Sequence, residues 1–170
     1  MIDVLTQREL DAIVRETYEY AHACCHYGST DRSFPVGEDG IMDCTGLMLR
    51  VLWRVGLIHE PLNCDEADRL MGRLGFVKTT DFEDIYRYHG FVQWVLPEWS
   101  GSEHVHHTFY SLGGDGQTIS KYDTGSDARL RAIQPFVGVP ADEWGGKYVF
   151  KHMWILPAMP DDGIYLQTGG

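Results

Sequence analysis

The chain has 170 residues and a formal net charge of −11, and 44% of its residues are hydrophobic. This length suffices for one domain with its own core, and the hydrophobic content excludes a disordered chain. The excess of acidic residues argues against nucleic acid as a partner, because phosphate binding needs clustered Lys and Arg.

The N-terminal segment has no targeting signal that we recognise. Residues 1–6 lack the basic start and the apolar stretch of an export signal. No run of the sequence is long and apolar enough to span a membrane. We therefore expect no membrane contact, and a protein that stays in the cytoplasm until it is released or delivered to its substrate.

The first predicted element is a helix that begins with a capping box. Thr6 is three residues before Glu9, and apolar residues then recur at helical spacing. We expect this helix to continue to near Tyr27. Residues 28–42 carry Gly, Pro and acidic residues without periodicity, which predicts a long loop.

Two further helices are predicted before the middle of the chain. One runs from Cys44 to about Val55, with apolar residues on one face and Gly56 placed to end it. The other is capped by Asn63, has Glu66 three positions later and ends near Gly75.

The second half is typical of an antiparallel sheet. Segments rich in aromatic and β-branched residues alternate with turn-forming residues. Helices followed by strands predict a single α+β domain over residues 1–157, with residues 158–170 as a tail. The predicted strands are Phe91–Leu96, His104–Leu112, Gln117–Tyr122 and Tyr148–Leu156.

Cys44 is the first candidate functional residue, because it stands at a predicted helix start. Unpaired backbone N–H groups and the positive end of the helix dipole stabilise a thiolate there. Asp43 is a suitable cap, and Gly46 leaves room for a substrate or another backbone. A buried structural cysteine is the alternative. The four cysteines are too irregularly spaced for a zinc site or a disulfide framework, so we interpret all of them as thiols.

A thiol nucleophile needs a histidine as base and a third group that orients the imidazole. His106 and His107 lie on a predicted strand, and the next strand leads to Asp123. Neighbouring strands can place a histidine beside an acid. The order along the chain is then nucleophile, base and orienting residue.

These segments resemble the motifs of the NlpC-type papain-like peptidoglycan hydrolases of bacteria and their phages. Asp43–Gly46 is similar to the Asp-Cys-Ser-Gly motif of that family, and His107–Gly113 is similar to its histidine strand and following turn. Tyr122–Ser126, Gln134–Phe136 and Trp144 are similar to later segments of some members. The segments occur in the family's order.

The resemblance implies a papain-like fold, in which the cysteine helix packs on a small antiparallel sheet. It implies a cysteine hydrolase without cofactor or metal that cleaves an amide of peptidoglycan, either within the stem peptide or at the sugar–peptide bond. Cys44 is then the nucleophile and supplies an oxyanion N–H, Asp123 orients the base, and Tyr27 is a candidate to line the site. Alignment on Leu112-Gly113 selects His107 as the base, and we adopt it; alignment on Tyr110 selects His106 instead.

The same residues allow other interpretations. His104 and His106 with a cysteine would suggest zinc, but no cysteine pair at ligand spacing accompanies them. Asp123-Thr124-Gly125-Ser126 matches the motif of aspartic proteases, which would require a dimer. A catalytically inactive relative that only binds wall peptides is a further alternative. The acidic run Asp39, Asp43, Asp65, Glu66 and Asp68 is interpreted as a solvated face, and the oligomeric state is left open.

Overall fold

The structure is a computed structural model that describes residues 5–20, 26–27, 41–42, 44–97, 103–105, 107–113, 117–120, 129–132 and 148–159. Helices precede most of the strands, and the predicted α+β class is confirmed. The helices are α1 (Gln7–Tyr20), α2 (Cys44–Arg54), α3 (Cys64–Arg73) and a 3-10 helix (Phe82–Tyr86). The strands are β1 (His26–Tyr27), β2 (Ile41–Met42), β3 (Val77–Thr79), β4 (His89–Val95), β5 (His107–Leu112), β6 (Gln117–Ser120), β7 (Arg129–Ala132) and β8 (Val149–Ile155).

The helix starts are where the capping signals predict them. The amide of Glu9 donates to Oγ1 of Thr6 at 3.2 Å, and the amide of Thr6 donates to Oε1 of Glu9 at 2.9 Å. Asn63 and Glu66 form the same reciprocal pair at the start of α3. Such pairs satisfy backbone N–H groups that have no partner within the helix.

Two predictions near the first helix are wrong. The helix ends at Tyr20 instead of continuing to Tyr27, since His26–Tyr27 forms β1. This strand pairs in parallel with β2, so Ile41–Met42 is not part of a continuous loop. The pairing joins segments that are distant along the chain, and periodicity within one window does not report such contacts.

The main sheet has six strands in the order β3-β8-β4-β5-β6-β7, and every neighbouring pair is antiparallel. The prediction that β5 begins at His104 is wrong, because the strand begins at His107 and His104 lies in the bend before it. In the β4–β8 ladder, Gln93 pairs with His152 and Trp94 pairs with Phe150. Lys151 is thus the extra residue of a β-bulge.

The two faces of this sheet carry different cores. Side chains of α1, α2 and α3 pack with Phe91, Tyr110 and Trp154 on one face, which we call the helix face. On the opposite face, Val92, Trp94, Phe109 and Met153 pack with Ile85 of the 3-10 helix. Alternation along each strand explains this division, because consecutive side chains point to opposite faces.

Asp84 connects the 3-10 helix to the edge strand β3. Its carboxylate accepts hydrogen bonds from Oγ1 of Thr79 at 2.6 Å and from Nη1 of Arg87 at 2.9 Å. The Thr79 hydroxyl, followed by the Arg87 guanidinium, holds the pKa of Asp84 below its usual value. The loop between β3 and β4 is therefore fixed by a charged group at its centre.

The start of the predicted tail contacts the domain. Ala158 packs against the core of the helix face, and the carbonyl of Met159 accepts a hydrogen bond from Nε2 of Gln7 at 3.1 Å. Among the residues that the structure describes, no helix is both long enough and apolar enough to cross a membrane.

Candidate active site

Cys44 is the first residue of α2 and is only 5% exposed. Apolar residues at helical spacing pack α2 onto the sheet, and Thr45 and Gly46 are buried with the cysteine. The sulfur is therefore placed at a helix N-terminus within the protein, where the positive end of the helix dipole favours negative charge. Asp43, the predicted cap, lies outside the described residues.

The start of α3 lies beside the start of α2. Cys64, the first residue of α3, donates from Sγ to Oγ1 of Thr45 at 3.3 Å. The capping box of Asn63 and Glu66 fixes the position of this turn. Two helix N-termini, each beginning with a cysteine, thus meet at one place.

The next residue of α3 binds the segment that leads into β5. Oδ1 of Asp65 accepts a hydrogen bond from the amide of Val105 at 3.1 Å, and Oδ2 lies 2.8 Å from Nδ1 of His104. Partial burial raises the pKa of Asp65, but these two hydrogen bonds and the charges of His104 and Lys151 outweigh it, and the pKa is lowered. The carboxylate is thus the acceptor for both contacts at neutral pH.

A residue of the sheet also binds this segment, residues 103–105. Nζ of Lys151 donates to the carbonyl of Glu103 at 2.7 Å. Lys151 is the bulged residue of β8, and a bulge redirects a side chain that would otherwise follow the regular alternation. Residues 103–105 are consequently bound both by α3 and by β8.

Helix α2 also reaches the sheet close to the start of β5. Met48, one turn after Cys44, has its sulfur 3.9 Å from Nε2 of Gln93. Gln93 pairs with Thr108, the second residue of β5. Helix α2 thus contacts the sheet beside the second residue of β5, one helical turn after Cys44.

The side chain of His107 points away from α2. Its ring centroid lies 6.4 Å from that of Phe109 and 5.5 Å from that of Tyr148, both in the core opposite the helix face. Its partner in the β4–β5 ladder is Trp94, which belongs to the same core. The sheet therefore separates the His107 imidazole from the face on which α2 packs.

The other predicted site residues have the following positions. His106 and Asp123 lie outside the described residues. Tyr27 pairs with Met42, two residues before Cys44, so its backbone runs beside the chain that enters α2. The structure thus connects Cys44 and Tyr27 through adjacent backbone and connects the start of α2 to residues 103–105 through α3.

A band of polar side chains on the helix face was not predicted. Gln93 is fully buried between Thr108 on β5 and His152 on β8, and its Oε1 has no hydrogen-bond partner within the described residues. Oδ1 of Asp68 lies 2.8 Å from Nε2 of His152 and accepts from Nε1 of Trp154 at 2.7 Å. Gln93 interrupts the apolar run Phe91–Val95, and that interruption is the signal that could have identified it, whereas Asp68 lies in a charged segment and gives no such signal.

A pocket of about 740 Å³ opens beside α3 and β3. Acidic and basic side chains line it in equal number, so it selects no single sign of charge: Glu60, Glu66, Asp68, Arg69, Arg73 and Lys78. We assign it no function.

The described residues contain no group of three or more His, Cys, Asp or Glu side chains that would hold a metal ion. His104, considered above as a zinc ligand, instead contacts Asp65.

Comparison with protein-family models gives no match, and a search of curated proteins gives none either.

Proposed function

We propose that the protein is a cysteine hydrolase that cleaves an amide bond, with Cys44 as the nucleophile. The observation that carries this proposal is the position of the first turn of α3. Cys64 binds Thr45, the neighbour of the nucleophile, and Asp65 binds Val105, the neighbour of His106. The elements that bear a thiol and an imidazole in the sequence are thus linked to one helical turn.

We further propose that His106 is the base, and not His107, which alignment on Leu112-Gly113 selects. The support is the orientation of His107, whose ring packs among aromatic side chains across the sheet from α2. A base must come within hydrogen-bond reach of the thiol it deprotonates. His106 is the alternative that alignment on Tyr110 selects.

The chemistry follows the usual order for a thiol nucleophile. The Cys44 thiol gives its proton to the imidazole, and the sulfur attacks the amide carbonyl to form a tetrahedral intermediate. The C–N bond then breaks as the imidazolium donates its proton to the leaving amine, which leaves a thioester on Cys44. Water, deprotonated by the imidazole, attacks the thioester and releases the acid. The backbone N–H of Cys44 is proposed to stabilise the oxyanion, and Asp123 to orient the imidazole.

The proposed substrate is the peptide part of peptidoglycan, and this part of the proposal rests on the resemblance of the motifs. Incubation with purified cell walls should release new amino groups at a rate that Cys44→Ala abolishes. Mass spectrometry of the fragments identifies the bond: a new stem-peptide N-terminus indicates an endopeptidase, and a free sugar lactyl group indicates an amidase.

A competition between two thiols tests the nucleophile. Cys64 also begins a helix but is more exposed than Cys44, so accessibility alone predicts that iodoacetamide labels Cys64 first. An activated Cys44 should be labelled faster than Cys64 at pH 6 to 7, and its labelling should stop wall digestion. Slower labelling of Cys44 than of Cys64 would refute the proposal.

Two other outcomes identify the alternatives. Wall fragments that bind to the unmodified protein without release of amines indicate an inactive binding relative. Digestion that is inhibited by pepstatin and survives Cys44→Ala indicates the dimeric aspartic protease.

A further inference from the structure

We propose that Asp65 and Lys151 are positioning residues that hold residues 103–105, so that the next residue, the proposed base His106, can serve Cys44. This inference rests on the proposed function and adds two residues that the family motifs do not contain. Neither side chain is proposed to touch the substrate or the reacting atoms.

The first argument is that the contacts converge on three consecutive residues. Lys151 binds the carbonyl of Glu103, while Asp65 binds the side chain of His104 and the amide of Val105. The chain then continues through a single residue, His106, into β5. A displacement of this segment would therefore be transmitted to the histidines at the strand start.

The second argument is that these contacts come from independent elements. Asp65 belongs to the first turn of α3, whose preceding residue binds Thr45 at the start of α2. Lys151 belongs to the bulge of β8, where the ladder with β4 is irregular. One contact thus fixes the segment relative to the nucleophile's helix, and the other fixes it relative to the sheet.

The contacts of Asp65 are unequal in their expected effect. The His104 side chain is 66% exposed, so its ion pair with Asp65 is screened by solvent. The bond to the amide of Val105 fixes the backbone itself and is charge-assisted. We therefore expect removal of the whole carboxylate to matter more than removal of the His104 ring.

The test measures catalysis and thiol reactivity in four variants of the full chain. Because a base misplaced by about 1 Å can cost about a hundredfold in rate, Asp65→Ala should lower kcat for amine release by at least about tenfold, with KM changed less than about threefold. Lys151→Met should also lower kcat, but by a smaller factor than Asp65→Ala. Asp65→Asn keeps a carbonyl oxygen for the Val105 amide and should recover much of the rate, and His104→Ala should have the smallest effect.

The pH profile of Cys44 alkylation separates positioning from general destabilisation. A thiol paired with an imidazole reacts at pH values well below its ordinary range. Asp65→Ala should diminish this low-pH reactivity, so that the profile of Cys44 approaches that of Cys64. The charged groups that face Asp65 are His104 and Lys151, and the two variants of those residues report their contribution.

Asp84→Asn is the matched control. Asp84 also binds two partners and orders a loop, but it lies with the 3-10 helix, which packs on the opposite face of the sheet. This substitution should lower stability without changing the profile of Cys44. If Asp65→Ala and Asp84→Asn give the same profile as the wild type, the positioning role is refuted. If the wild type itself shows no low-pH reactivity at Cys44, the proposed function fails instead.

Discussion

Substitutions of the two adjacent histidines separate a packing role from a catalytic one. His107 is 3% exposed, its ring lies beside the rings of Phe109 and Tyr148, and its ladder partner is Trp94. Replacement with Phe keeps an aromatic ring in this core but adds volume, so His107→Phe should fold with some loss of stability. It should retain amine release within about threefold of the wild type, because the proposed base is unchanged. His106→Ala should lower kcat by about 10² to 10⁴, the usual contribution of a general base.

The loss of folding stability expected for His107→Ala follows from the burial of the His107 side chain. Loss of a buried ring leaves a cavity and removes its contacts with the surrounding rings, which we estimate to cost about 2 to 3 kcal/mol. For a chain of this size, that loss corresponds to a fall in Tm of about 4 to 12 °C. His107→Ala should therefore lose activity on heating but show nearly normal kcat at low temperature, where it remains folded.

The assay combines amine release at 15 °C with thermal unfolding followed by circular dichroism. The decisive comparison is between variants whose spectra show the same folded state. A folded His107→Phe without activity, together with an active His106→Ala, would refute the reasoning from the orientation of His107 and would restore His107 as the base.

Three further predictions concern the framework of the site. Asp68→Ala removes the acceptor shared by His152 and Trp154, so two buried polar groups lose a partner. The free energy of unfolding, measured in urea, should fall by about 3 kcal/mol or more. A loss below about 1 kcal/mol would contradict this prediction. Gly90→Ala places a methyl group against the carbonyl oxygen of Trp154 and should disturb the β4–β8 pairing, seen as a fall in Tm; an unchanged Tm would show that the strands can separate without cost. Asp84→Asn should lower stability at pH 7. The difference in stability between the variant and the wild type should shrink as the pH falls through the lowered pKa of Asp84, because the carboxylate contributes only while it is ionised. A stability difference independent of pH between about 2 and 7 would contradict the contribution of the charged hydrogen bonds.

The parts of the fold that the sequence predicts well are those set by local chemistry. Capping boxes lie within four residues, so Thr6 and Asn63 identify the starts of α1 and α3 correctly. The start of α2 at Cys44 follows equally from its apolar periodicity. Short strands could not be recognised in this way. β3 has three residues, and Val77 is 55% exposed, so only its pairing with β8 defines it.

The orientation of the candidate histidines shows a second limit of prediction from sequence. Alternation along a strand predicts from sequence that adjacent candidates such as His106 and His107 point to opposite faces. It does not establish which face receives the helices, because that depends on contacts between distant elements. The packing of Tyr110 with the helices and of Phe109 with the 3-10 helix supplies this information. The choice of base therefore required the tertiary structure, although the two candidates were visible in the sequence.

The acidic residues of α3 show why a run of like residues is not the same as a face of a helix. Residues of an α-helix are about 100° apart, so Asp65, Glu66 and Asp68 point in directions of about 0°, 100° and 300°. The interpretation as a solvated face is wrong for Asp68, which is buried, whereas Asp65 and Glu66 are partly exposed. Glu66 caps its own helix, Asp65 binds the chain that enters β5, and Asp68 is buried against β8. The first two turns of α3 thus contact the cysteine helix, the segment that leads into β5, and strand β8 on the helix face of the sheet. This is why substitutions there should alter the reactivity of a thiol that they do not touch.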